Sequence, residues 1–166
     1  MFFGWSAFYQ VTGSASAALV GLLFIVTTLS SRQSEGASQG QRLFTTPTVF
    51  HLSLVLIMSA LALAPPSSMY RPAAAMCVVA LAACVNCLPL AIRLSRLTNP
   101  SHWSDFWCYG AAPAAACLAL VGATGAVWAG AGDAAHFVGL VLLILLALGI
   151  RNAWDLITWL APRRPS

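Results

Sequence analysis

Few residues in this chain could do chemistry, and the sharpest group is Arg151, Asn152 and Asp155, set in an otherwise apolar C-terminal segment. Arg151 and Asp155 are four apart, so on a helix they share a face. The apolar run before them, 137–150, is too short to cross a bilayer at about 1.5 Å per residue. It reaches spanning length only by taking in 134–136 at one end or the Arg–Asp segment at the other. In one reading the helix leaves the membrane near Arg151 and the remainder lies along the surface, with Trp154, Ile157 and Ala161 toward lipid. In the other, Arg151 and Asp155 stay within the bundle, where charges need partners. Depth along the helices favours Asn86, His51 or a helix carbonyl as that partner. His51, Asn86, Arg151, Asn152 and Asp155 are therefore expected to form a polar layer in the inner leaflet. Its expected role is a structural clamp ahead of a path for conduction.

The five cysteines are Cys77, Cys84, Cys87, Cys108 and Cys117, all within or beside apolar segments. Cys84-Val-Asn-Cys87 has the C-x-x-C spacing of redox proteins, which use an accessible thiolate at a helix N-terminus. Here the pair falls late in a helix and has no second pair in an outer loop. The leading reading of these thiols is small buried apolar side chains. A bis-histidine haem needs two His at one depth. His51 is expected near the inner end of its helix and His136 near the outer end of another, while His102 falls in a loop. No cofactor and no metal site is expected. No G-x-S-x-G, H-E-x-x-H or glycine-rich phosphate loop occurs, so the chain reads as a non-enzyme.

The elements that must position these residues are membrane-spanning helices. The chain is 60% hydrophobic and 7% charged, far below the charged share of about 25% in soluble domains. Apolar runs separated by polar or proline-rich turns predict five spans in one domain, 1–166, at about 9–31, 48–64, 72–92, 105–128 and 134–160. Ser104 is the expected cap of the fourth helix, with Asp105 in its first turn. Pro113 predicts a kink there or a true start near Ala111. The N-terminus has no basic segment before its apolar run, so no cleavable signal is expected. Trp5, Phe8 and Tyr9 are expected to anchor the first helix at the interface.

The positive balance comes from arginine alone, since the chain has no lysine. With five spans, Arg32, Arg42, Arg93, Arg96, Arg163 and Arg164 fall on one side and Arg71 on the other. That asymmetry predicts N-out, C-in topology. No basic arm or aromatic strand suits a nucleic acid. Gly13, Ala17 and Gly21 on the first helix, and Gly122 and Ala126 on the fourth, have the small-residue spacing that lets helices approach closely in lipid.

The opening WSAFYQVTGSASAALVGLLFIV and the closing GIRNAWDL resemble the ends of a loose family of small bacterial five-span integral membrane proteins. The resemblance covers under a third of the chain and implies an inner-membrane location without adding chemistry. The sequence thus predicts an all-α polytopic bundle that acts through helix–helix contacts, with lipid and with itself or another membrane protein as partners. The alternative is a small oligomeric channel or transporter with a polar path at Asn86, Arg151, Asp155 and the Ser/Thr-rich outer half of the first helix.

Overall fold

The computed structural model describes residues 3–31, 38–65, 70–96, 106–131 and 133–160. Regular structure among these residues is helical throughout. A short 3-10 turn, Phe3–Trp5, leads into α1, Ser6–Ser31; α2 is Ser38–Ala62 and α3 is Tyr70–Arg96. A π-helical segment, Phe106–Ala111, runs into α4, Ala112–Trp128, and α5 is Ala134–Leu160. Helices answer the physical demand of the composition. Hydrocarbon offers no water to the backbone, so each segment must bond its own N–H and C=O groups. Four stretches are long and apolar enough to cross a membrane: Ser6–Leu29, Pro72–Ile92, Trp107–Trp128 and Ala134–Thr158. The shorter apolar stretch Thr46–Ala62 belongs to α2. His102, the expected cap at Ser104, Asp105, Arg32, Arg163 and Arg164 lie outside the described residues.

α2 departs from expectation. It begins at Ser38, so the polar segment before Thr46 joins the helix and Pro47 lies inside it. Proline is tolerated there at the loss of one backbone bond. The extension moves the middle of α2 to Phe50, beside His51, which the shorter expected helix had put well inward of centre.

α1 packs chiefly on α2, and α3 chiefly on α4 and the π segment; α5 touches α1, α2 and α4, and α2 also touches α3. α2 and α5 are thus the inner helices. On α2 the buried side is Thr48, His51, Leu52, Val55, Met58, Ser59 and Ala62. On α5 it is Val138, Leu142, Leu145, Asn152 and Leu156. Both follow the spacing of a single helical face. One buried apolar cluster draws residues from all five helices.

Close approach is made at three separate glycines. A Cβ at Gly13 would stand 3.1 Å from Ser59 Cβ, one at Gly139 3.2 Å from the Phe8 ring, and one at Gly149 2.6 Å from Leu52 Cδ2. The expected stripe divides. Gly13 is buried on α2, whereas Ala17 and Gly21 face outward, and nothing lies within 4 Å of a Cβ at Gly21. Residues four apart advance about 40° around a helix, so the step from Gly13 to Gly21 rotates about 80° off the interface. The buried line of α1 alternates threes and fours instead, through Tyr9, Thr12, Gly13, Ser16 and Leu23. Gly122 likewise faces outward with nothing within 4 Å, while Ala126 is half-buried against the core.

The α3–α4 contact is lined by small side chains. Ala73, Ala80, Ala83 and Cys87 are buried along α3, and Ala116, Cys117 and Ala123 along α4. After Trp128 the chain turns at Gly130, whose φ of 82° suits glycine alone. Ala131 N–H donates to Ala126 O at 3.0 Å, closing the turn that leads to α5.

The N-terminal aromatics form a packed group. Trp5 meets His136 edge-on with ring centroids 4.8 Å apart, and Phe8 meets Tyr9 at 5.2 Å. Tyr9 is fully buried and its hydroxyl donates to Ala135 O at 3.1 Å. It ties α1 to the first turn of α5 and is not the interfacial anchor its position suggested.

Candidate functional site

A polar layer does cross the bundle; it keeps His51 from the expected group but gives it other partners. Ser16 of α1 donates its hydroxyl to Leu52 O of α2 at 2.5 Å. Leu52 lies against Gly149 of α5. Both Ser16 and Gly149 are near the middle of their helices, so this level is the mid-depth of the bundle. His51, beside Leu52, is buried with 2% exposure. Its Nε2 is 3.5 Å from Cys87 Sγ. Cys117 Sγ in turn donates to Cys87 Sγ at 3.4 Å. Three helices thereby place one imidazole and two thiols in a chain of contacts. All five cysteines are free, and His51 Nδ1 has no hydrogen-bond partner.

The expected partners of His51 are elsewhere. Asn86 is exposed on α3 and donates to Ala82 O of its own helix at 2.8 Å. Arg151 Nη1 stands 3.4 Å from Asp155 Oδ2, with side chains 39% and 41% exposed. This pair runs along the flank of α5 and meets neither Asn86 nor His51. The reason is rotational. α5 turns Asn152, Ala153 and Leu156 inward at this level, and Arg151 and Asp155, one position before Asn152 and Leu156, lie about 100° away from them around the helix. The helix also continues unbroken to Leu160, so the surface-lying segment considered for residues beyond Arg151 is not seen.

Asn152 is the member of that triplet that enters the bundle. It is fully buried, and its side-chain amide donates to Cys108 O at 3.0 Å. Tyr109 returns a bond from its hydroxyl to Asn152 O at 3.2 Å. Pro113 explains the need. In π spacing the N–H of residue 113 is the partner of the Cys108 carbonyl, and proline has no N–H. Asn152 supplies the missing donor from another helix, where an unmet carbonyl would otherwise face an apolar interior. The irregularity expected at Pro113 is thus a π segment stitched to α5.

His136 sits in the first turn of α5, thirteen residues or about 20 Å along the helix from the level of Gly149. It packs on Trp5 while His51 packs on Cys87, so the two share no haem. Among the described residues no group of three or more His, Cys, Asp or Glu side chains is arranged to hold a metal ion.

Reading Cys87 as an inert apolar side chain hid the thiol pair. A usable signal was there: Ala73, Ala80, Ala83 and Cys87 repeat at sevens, threes and fours. That spacing puts Cys87 on the close-packed face and turns Asn86 off it. Compared with known proteins, the chain matches no family model, no curated protein and no solved structure.

Proposed function

We infer that the chain is a five-span integral protein of the bacterial inner membrane, N-terminus outside and C-terminus in the cytoplasm. It acts through helix–helix contacts and not by turning over a substrate. The topology rests on the arginine asymmetry, in which Arg32, Arg42, Arg93, Arg96, Arg163 and Arg164 share one side. α2 completes the odd count. Its apolar stretch Thr46–Ala62 is about 25 Å long and is carried toward the hydrocarbon thickness of about 30 Å by the helix turns before it. Reporter fusions after Ser166 and within 34–41 are both expected to read as cytoplasmic. A periplasmic signal after Ser166 would remove the five-span count.

The observation that carries the contact reading is where the polar side chains go. Ser16, Asn152, Tyr9 and Tyr109 each bond a backbone carbonyl of another helical segment. Bonds of this kind fix how helices seat against one another in lipid. The residues of the channel reading, Asn86, Arg151 and Asp155, are instead paired within their own helices on outer flanks. Ala17 and Gly21 then become the outward face of α1 that meets a helix of another chain, a second copy or a different membrane protein. Mass measurement directly from native membranes tests this. The wild type is expected as an assembly larger than one chain. Ala17→Leu is expected to shift most of it to the single chain, and Val85→Leu on the outer side of α3 to leave it intact. A single chain in the wild type, with no co-purifying partner, would refute the reading.

A further inference from the structure

We propose that Cys87 and Cys117 are a redox-modification site, oxidised by an uncharged hydroperoxide to a disulfide that joins α3 to α4, with His51 as the base. The two sulfurs are already 3.4 Å apart. A disulfide needs about 2.05 Å between sulfurs, so the closure required is about 1.4 Å. Ala83, one turn before Cys87, and Ala116, next to Cys117, are small and buried, which keeps the α3–α4 contact close. Cys87 is the attacking sulfur because it alone touches both His51 Nε2 and the second thiol. Cys117 is fully buried and contacts Cys87, which makes it the resolving thiol.

The steps balance. His51 Nε2 takes the proton of the Cys87 thiol, and the thiolate attacks the terminal oxygen of the hydroperoxide. The O–O bond breaks, Cys87 becomes a sulfenic acid, and the departing alkoxide takes the proton from His51. Cys117 then attacks the sulfenic sulfur, the S–S bond forms and the hydroxyl leaves as water with the Cys117 proton. Two thiols and one organic hydroperoxide give one disulfide, one alcohol and one water; with hydrogen peroxide the alcohol is replaced by a second water. A thiol reductant reverses the linkage by exchange. The mid-depth position selects the oxidant, since a charged molecule pays a large penalty to enter the apolar interior. Cumene hydroperoxide and hydrogen peroxide share the reactive bond and differ in lipid solubility.

The test uses the full chain in native membranes, treated with each hydroperoxide or with charged oxidised glutathione, then alkylated, digested and mapped by mass spectrometry. Both hydroperoxides are expected to give a Cys87–Cys117 linked peptide lighter by two hydrogens; faster linkage by cumene hydroperoxide marks supply from the lipid phase, and by hydrogen peroxide supply from water. Oxidised glutathione is expected to give no link. Cys84→Ser is expected to keep the link. Cys117→Ser is expected to leave Cys87 as a sulfenic acid that dimedone traps. His51→Gln is expected to slow linkage by roughly 100-fold, the scale of a lost general base. The wild-type map alone decides the central claim. A Cys84–Cys87 link in its place, or thiols that remain reduced throughout, would overturn it.

Discussion

Gly149→Ala is expected to destabilise the bundle by about 1–3 kcal/mol, while Gly21→Ala is expected to be neutral or slightly stabilising. The chemical change is the same, and in a helix it ordinarily gains up to about 1 kcal/mol. The surroundings set the sign. A methyl on Gly149 would stand 2.6 Å from Leu52 Cδ2 and 3.1 Å from its Cγ. Leu52 is fully buried, so its side chain cannot swing out into the surroundings and must shift within the packed interior. Moving α2 instead disturbs the Ser16 bond to the Leu52 carbonyl. A methyl on Gly21 meets nothing within 4 Å. Thermal unfolding of both variants in one lipid system gives the comparison. A Gly149→Ala protein as stable as the wild type would show that α2 and α5 do not meet there.

The second large effect is expected at Asn152. Asn152→Leu keeps the branched shape in a somewhat larger side chain but leaves the Cys108 carbonyl without its donor, at a cost of about 1–3 kcal/mol. Pro113→Ala returns an N–H to the π segment, so the carbonyl regains a partner within its own helix. In the Pro113→Ala background the cost of Asn152→Leu is expected to fall by at least about half, a coupling that a double-mutant cycle reads directly. Equal costs in both backgrounds would mean that Asn152 does not answer the proline. Asp155→Ala is the contrast within the same helix: an ion pair about two-fifths exposed contributes little.

Much of this bundle was legible in the chain because lipid forces regular helices, and apolar runs with proline and glycine at their ends mark them. The stretch Pro72–Ile92 and α5 fall where the sequence placed them. α2 was read short because a Gly/Ser-rich polar segment resembles a loop, and nothing local says that it continues a helix past Pro47. That error shifted His51 relative to the middle of its own helix, but the wrong partners came from rotation: His51 meets Cys87, the neighbour of Asn86 on α3. The packing face of α1 failed differently. Four-residue spacing is easy to see in a sequence, but a long helical interface drifts unless threes and fours alternate. Gly139 and Gly149, which do carry close contacts, are isolated glycines with no pattern around them. At the site, Asn86 and Cys87 are neighbours on the chain, and only rotation about α3 decides which one enters the bundle.

The three glycine contacts have a mechanical consequence. Gly13 on Ser59, Gly149 on Leu52 and Gly139 on Phe8 tie α1, α2 and α5 together at separated heights. Triangulated in this way, the three helices resist both sliding and rolling and move as one rigid block. The alanine-lined α3 and α4 form a second block, joined to the first where His51 meets Cys87 and where Asn152 meets Cys108. The blocks also meet along the α4–α5 contact, so shear between them must disturb that packing together with the two polar joints. A bond that draws Cys87 toward α4 pulls it off His51, so stiffening the second block would loosen its coupling to the first.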